Sequence, residues 1–313
     1  MTKNKLIDKL KLDGDLFLAP IAGYSDMGMR CLCYTYGATL CFTEMVSAKG
    51  LYYGNKNTAE ILHLDDKEVG ITGVQIFGHE PDIIGEVVGY KELENFPIID
   101  INMGCPVPKI VKNNDGASLM KNPYLVKEMV SSAVKGAKGK LVSAKFRAGF
   151  GEVKNAPEIA LACQEGGASF VTIHGRTREQ YYAGDTDLDI IKKVKESVKI
   201  PVVGNGSVVD RDSYLKMKEY TGVDFVMVAR GALGKPYVFS QIRGKDYDYN
   251  IKDLIEKHIA KLNFLPERVA VNNMKKHIAY YVKGRPNQKY IKEQIFKCTS
   301  IDELLRVDIG NFK

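Results

Sequence analysis

Short apolar runs alternate with longer stretches of helical character along most of this chain, and that alternation constrains the fold more than any other feature. The runs are Asp15–Pro20, Thr39–Thr43, Val69–Phe77, Ile98–Met103, Lys140–Phe146, Ser169–Ile173, Pro201–Gly204 and Val223–Ala229. Helix-forming patterns occupy Ser25–Tyr36, Asp82–Leu93, Pro123–Lys138, Pro157–Glu165, Leu188–Ser197 and Arg211–Tyr220. A helical crossover returns the chain to the same end of a sheet, so successive strands pair in parallel. Eight such units in about 240 residues predict an α/β fold, a (β/α)8 TIM barrel. The pattern also leaves room for one short extra strand near the N-terminus.

Beyond Tyr247 no strand candidate is left. Ile251–Phe264, Glu267–Val282, Gln288–Cys298 and Ile301–Ile309 read as helices, punctuated by Pro266, Gly284 and Pro286. The expected division is therefore a barrel domain over 1–245 and a small helical domain over 246–313. Charge is concentrated in the second part. From Arg268 to Lys297 eight basic residues face one acid, Glu293, and this window alone matches the net +7 of the whole chain. Such a block suits a polyanionic partner, although a solvated helix face would give the same pattern.

Six scattered cysteines form no CxxC pair, which predicts reduced thiols, no zinc and a cytoplasmic protein. No apolar run approaches the ~20 residues of a membrane span. The start, MTKNKLIDKLKLDGDLFL, mixes charge with apolar residues and does not read as a secretory signal. A monomer is expected.

In such a barrel the chemistry sits where strands end. Here those ends are Pro20-Ile21-Ala22, Glu44, Gln75, Asn102 to Cys105, Lys145 to Arg147, His174 to Arg178, Asn205-Gly206-Ser207 and Ala229-Arg230-Gly231. The last two are glycine-rich and lie where barrels commonly hold phosphate. Lys145 beside a flavin could stabilise charge that develops on reduction. Gln75 and Asn102 offer paired donors and acceptors. Singly, a lysine here reads as an ion-pair partner and a histidine as a core residue. Together at one mouth they read as a site. Cys105, in an Asn-Met-Gly-Cys-Pro loop, is open to three readings: nucleophile, general acid or inert thiol. With an ordinary pKa of about 8.5 it is mostly protonated at neutral pH, which favours proton donation.

The stretches LAPIAGYSDMGMR, VQIFGHEP, IIDINMGCPVPKIVKNNDGASLM, AKFRAG, VTIHGRTREQYYAG, IPVVGNGSV and VARGALGKPYVF follow one another in order. Together they resemble the tRNA-dihydrouridine synthase family, closest to its bacterial B-type members. The likeness runs from about residue 15 to 245 and continues more weakly through KKHIAYYVKG. It implies an FMN-binding barrel that reduces the C5–C6 double bond of uridines in tRNA, with NADPH or NADH as electron donor. It also implies that Cys105 is the proton donor and that Pro20, Ile21 and Ala22 lie along the flavin. Gln75, Lys145 and His174 would meet its ring or ribityl chain. Asn205, Gly206, Ser207, Ala229 and Arg230 would hold its phosphate. Asn102, Arg176, Arg178, Lys275 and Lys276 would serve the tRNA substrate. The family commonly has Asp where Ser207 stands and Gly where Ala229 stands; both contacts are mainly through backbone, so FMN binding should survive.

Three rival readings share parts of this pattern. One is an FMN barrel acting on a free small molecule, in the manner of dihydroorotate dehydrogenase; it does not need the basic tail. Another is a non-enzymatic RNA-binding barrel, which leaves Cys105 and the Lys145/His174 pair unexplained. The last is a phosphate-binding isomerase or aldolase with Lys145 as a Schiff-base residue.

Overall fold

The computed structural model describes residues 1–55, 58, 60–245 and 247–310. Eight parallel strands pair in chain order and close into a barrel. They are β1 (Leu16–Leu18), β2 (Leu40–Ser47), β3 (Gly73–Phe77), β4 (Ile98–Met103), β5 (Leu141–Arg147), β6 (Phe170–His174), β7 (Val202–Asn205) and β8 (Phe225–Val228). Closure comes from β8 pairing with β1, with Phe17 opposite Met227. The expected barrel is present. Two local expectations are corrected. β3 is shorter than its apolar run, because the chain turns at Gly70, whose φ of 79° is left-handed. No strand precedes β1; Lys3–Leu10 is a helix, capped by the Thr2 hydroxyl.

Side chains on a strand alternate between its two faces, and here the alternation sorts three environments. One set faces outward into the layer under the helices: Val74 and Ile76, Ile99 and Ile101, Val142, Ala144 and Phe146, Val171 and Ile173. The opposite set points into the barrel. Low in the barrel it is apolar: Phe17, Leu40, Phe42, Ile98, Leu141, Phe170, Val203 and Phe225 form one cluster with Leu6 and Leu10 of the N-terminal helix. That helix closes the floor, and each fully buried side chain of this size contributes about 1.5–3 kcal/mol. Further along the same strands the inward positions turn polar. They carry Gln75 on β3, Asp100 and Asn102 on β4, Ser143, Lys145 and Arg147 on β5, Thr172 and His174 on β6, and Asn205 on β7. A dry floor under a polar upper layer gathers the chemically reactive side chains at the carboxyl ends of the strands.

The four helices expected after the barrel are present as Ile251–Ala260, Glu267–Tyr281, Gln288–Lys297 and Ile301–Arg306. They share a core of their own, which also takes in Leu32 and Tyr237. The seam with the barrel is tight at Gly28, where a Cβ would stand 2.1 Å from His258 Cδ2 and 2.8 Å from the His258 carbonyl oxygen. Gly28→Ala is therefore expected to lower stability by about 1–3 kcal/mol, the usual range for overpacking. A thermal midpoint equal to that of the natural protein would show that the seam can open at no cost.

Candidate active site

The strand register assembles the site in rows. Gln75 stands opposite Asp100, and Asp100 opposite Ser143. Asn102 stands opposite Lys145, and Lys145 opposite Thr172. Above them Arg147, His174 and Asn205 align.

The lower row is a continuous chain of hydrogen bonds. Ser143 Oγ donates to Asp100 Oδ1 at 2.6 Å, and Gln75 Nε2 donates to Asp100 Oδ2 at 2.7 Å. Asn102 Nδ2 donates to Gln75 Oε1 at 2.8 Å. Asn102 Oδ1 then accepts the backbone N–H groups of Gly104 and Cys105 at 3.2 and 2.9 Å. Asn102 thus holds the cysteine loop by its own side chain. Burial pushes the Asp100 carboxyl up to about 6, against the bonds it accepts from Ser143 and Gln75.

Arg147 pins the same loop from the other side, donating from Nε to the Gly104 carbonyl at 2.7 Å. Its Nη1 reaches the carbonyls of Thr177 and Tyr181 at 3.0 and 2.7 Å. The Cys105 thiol is half-buried between these anchors. Burial raises its pKa, and the Val107 backbone N–H, then Arg147 and Lys145, only partly offset this. The sulfur therefore carries its proton at neutral pH, which suits an acid better than a thiolate nucleophile.

Lys145 has no hydrogen-bond or ion-pair partner among the described residues. Burial and the neighbouring Arg147 bring its pKa down to about 8. Beside it, the Thr172 hydroxyl is buried without a partner among the described residues. Buried polar groups are normally satisfied, so an unpartnered ammonium and an orphaned hydroxyl in one row mark a place built for something else. His174 is neutral, because burial and then four surrounding cations, Lys145, Arg147, Arg176 and Arg230, hold its pKa well below the usual range. Arg176 Nη1 lies 3.3 Å from His174 Nε2. A guanidinium only donates, so Nε2 accepts and the ring proton sits on Nδ1.

Arg176 itself is 3% exposed and works as a brace. It donates to the carbonyls of Ala183 and Gly184 and, from Nη2, to Ser207 Oγ at 2.8 Å. Arg176, expected near the substrate, has its Nε and Nη2 donors engaged by the protein. Arg178 lies against the rings of Phe150 and Tyr181 and pairs with Glu179 at 3.6 Å.

The loops after β7 and β8 form a close-set cradle. Gly206 has φ of 132°, and a Cβ there would stand 2.7 Å from Thr186. At Gly231 a Cβ would lie 2.4 Å from the Val208 carbonyl oxygen. Ser207 adopts φ of 53°, its hydroxyl held by Arg176 and Thr186. Asn205 Nδ2 ties β7 to the Met227 carbonyl at 2.8 Å. The turn Arg230–Ala232 has no side-chain cap after Ala229, which leaves its first N–H groups open. The Arg230 guanidinium rests on the Tyr182 ring, 4.6 Å from its centroid.

The loop after β1, with Pro20, Ile21 and Ala22, is held both by β2 and by the helices that follow the barrel. Gly23 N–H bonds the Glu44 carboxylate, and the Gly23 carbonyl accepts from Lys276 Nζ at 3.1 Å. Asp26 takes His258 Nε2 on one oxygen and His277 Nε2 on the other, each at 2.9 Å. Tyr24 sits edge-on to His277 and Tyr280. Lys276, expected to face RNA, is thus turned toward the barrel. Its neighbour Lys275 lies on another side of the helix, near Cys298 and Glu303.

Comparison with known proteins decides what this site belongs to. Residues 17–309 match the family described as dihydrouridine synthase (Dus). The chain belongs to the dihydrouridine synthase family. It is 34% identical over 297 residues to a probable tRNA-dihydrouridine synthase of Rickettsia conorii, covering 90% of this chain and 88% of that one. To tRNA-dihydrouridine synthase B of Shewanella oneidensis it is 34% identical over 296 residues, 91% of each chain. Among solved structures, 6-hydroxypseudooxynicotine amine oxidase from Pseudomonas geniculata shares the fold, with a TM-score of 0.58 at 10% identity over 74% of this chain and 47% of that one. The residues missed by sequence reading are Asp100, Ser143 and Thr172, with Arg147 noted only as a strand end. Asp100, Ser143 and Thr172 are each a polar residue two positions from a recognised one, inside an apolar run.

Proposed function

We propose that this protein reduces the C5–C6 double bond of uridines in tRNA, with FMN as its cofactor and NADPH or NADH as the electron source. The observation that carries the reading is the pairing of an unpartnered Lys145 with a protonated Cys105 thiol on a braced loop, in the mouth of a barrel of the dihydrouridine synthase family. The residues fit a flavin phosphate and ring. Gly206 and Gly231 let the loops after β7 and β8 pack directly against Thr186 and the Val208 backbone, and the orphaned Thr172 hydroxyl and the Lys145 ammonium offer polar groups to a ligand. When bound, the reduced flavin supplies the hydride that adds to C6 of the uracil. Lys145 would stabilise negative charge at the ring's pyrimidine edge. Neutral His174 would donate from Nδ1, and backbone N–H groups of Ser207, Arg230 and Gly231, with the Arg230 guanidinium, would hold the phosphate. Asn102 and Arg147 fix the loop, and Cys105 releases its proton to C5.

A uridine within folded RNA must leave its stack to enter this mouth, at a cost of a few kcal/mol. Contacts from basic helices to backbone phosphates would offset that cost. We assign this task to the part after about residue 246, where Arg268, Lys283, Lys289 and Lys297 are exposed. This division, monomeric action and a cytoplasmic location accompany the reading. Among the described residues no helix is long and apolar enough to cross a membrane.

The two kinds of lysine separate experimentally. Lys289→Gln with Lys297→Gln is expected to weaken tRNA binding and reduce its salt slope by roughly one to two, with flavin retained. Lys276→Gln is expected to disturb flavin binding as well, because Lys276 holds the Gly23 carbonyl. Identical tRNA affinity across salt for the double variant would move the RNA surface elsewhere. The reading as a whole is tested by mapping dihydrouridine in tRNA from cells lacking this protein. An unchanged dihydrouridine content would reject it.

A further inference from the structure

Gln75 and Asn102 are carboxamides, and a carboxamide fits a given cavity either way round. In this site the two ends of their row forbid reversal. At one end stand the backbone N–H groups of Gly104 and Cys105, which can only donate. Asn102 must present Oδ1 to them, so its Nδ2 faces Gln75 Oε1. At the other end stands the Asp100 carboxylate, which accepts Gln75 Nε2 on one oxygen and Ser143 Oγ on the other. Asp100 is 2% exposed, Gln75 1% and Asn102 9%, so water is poorly placed to substitute for a broken link. The row therefore runs in one direction, from carboxylate to thiol loop. Among the described residues, the charged side chain acting on Asp100 is Lys145 on β5.

We propose that Asp100 is a positioning residue: its acceptor oxygen fixes the direction of the Gln75–Asn102 relay and thereby aims the loop that carries Cys105. The inference rests on the reading of Cys105 as the proton donor to uridine. Asp100 does not touch the thiol and acts only through the two amides. Arg147 and the Ala117 N–H hold the loop's carbonyls at Gly104 and Cys105, at 2.7 and 3.0 Å. The relay holds its N–H groups. With both sides tied, the backbone that carries the thiol has little freedom, and a displacement of about 1 Å at a reacting group can cost about 10²-fold in rate.

The test reverses one link and then restores it. Gln75→Glu sets a carboxylate against Asp100 and should break the row. Gln75→Glu combined with Asp100→Asn repairs it, because the amide introduced on β4 donates to the carboxylate introduced on β3, which still accepts from Asn102. Asp100→Asn alone keeps an acceptor toward Gln75 and passes its donor to Ser143 Oγ. The readout is the rate of Cys105 alkylation by iodoacetamide in the folded protein as purified, resolved from the other cysteines by peptide mass spectrometry. Dihydrouridine formation is measured alongside it. Gln75→Glu is expected to change alkylation about tenfold and to slow dihydrouridine formation about 10²-fold. The double variant and Asp100→Asn should alkylate within about threefold of the natural protein, since donors and acceptors match again. A double variant as disturbed as Gln75→Glu, or Gln75→Glu alkylating at the natural rate, would overturn the proposal. If Gln75→Glu does not fold, the double variant decides, since it carries the same β3 carboxylate. Alkylation needs neither RNA nor nicotinamide. A set that alkylates as expected while the natural protein forms no dihydrouridine would support the relay and reject the assigned reaction.

Discussion

Cys105→Ala protein is expected to keep its flavin and to oxidise NADPH or NADH at the natural rate, while forming dihydrouridine about 10²–10⁴-fold more slowly. That span is what one positioned general acid contributes. The argument starts from burial. The half-buried thiol has its pKa raised, so the proton stays on sulfur at neutral pH, and the Val107 N–H with two nearby cations moderates the rise without reversing it. The loop is tied by Asn102 on its N–H side and by Arg147 on its carbonyl side, so the acid is held in place before substrate arrives. Removing sulfur leaves those ties intact, which is why the electron-accepting half of the reaction should not notice. Single-turnover measurement on tRNA from a strain without the enzyme separates the halves. Natural turnover by the alanine variant would end the acid assignment.

Lys145→Met should have the other large effect. Flavin reduction by the nicotinamide is expected to slow about 10²–10³-fold, comparable to losing one preorganised donor at a site of developing charge. The same substitution carries a stability signature in protein stripped of flavin. The folded-state pKa of Lys145 is about 8, below the ordinary lysine value of 10.5. Between those values the unfolded chain binds the extra proton, so the group's penalty is full below pH 8 and relieved as pH rises toward 10.5. The gap of about 2.5 corresponds to roughly 3 kcal/mol, at ~1.36 kcal/mol for each pH unit. Lys145→Met should therefore stabilise the flavin-free fold near pH 7 and lose that advantage near pH 10.5. Denaturant titrations at the two pH values check this; parallel curves would mean that the ammonium is solvated rather than poised.

The barrel was readable because burial on both faces writes each strand as a short apolar run, and glycines and prolines mark its ends. The site was readable where polar residues fall just past those runs, as with Lys145, His174 and Asn205. It was harder to read inside them. Asp100 sits in Ile-Ile-Asp-Ile-Asn-Met and looks like an interruption until its parity is noticed: it shares the inward face with Asn102. Ser143 and Arg147 flank Lys145 in the same way. Contacts between distant segments leave no such trace. Arg30 and Glu68 form an ion pair at 2.6 Å with both side chains 1% exposed, yet 38 residues separate them. The basic block likewise gave charge without direction, and only packing shows that Lys276 turns inward while Lys289 and Lys297 stay in solvent.

The carboxylate that His258 and His277 share bears on how such chains can be recombined. A graft that joins the first 245 residues of one relative to the tail of another would cut through Asp26's two partners, the Gly28 contact and the Lys276 tie at once. Two interior imidazoles would then depend on whatever the foreign sequence happened to offer. The exchangeable unit is the tail together with residues 20–28, and chimaeras drawn along that line should fold where those drawn at the barrel's end do not.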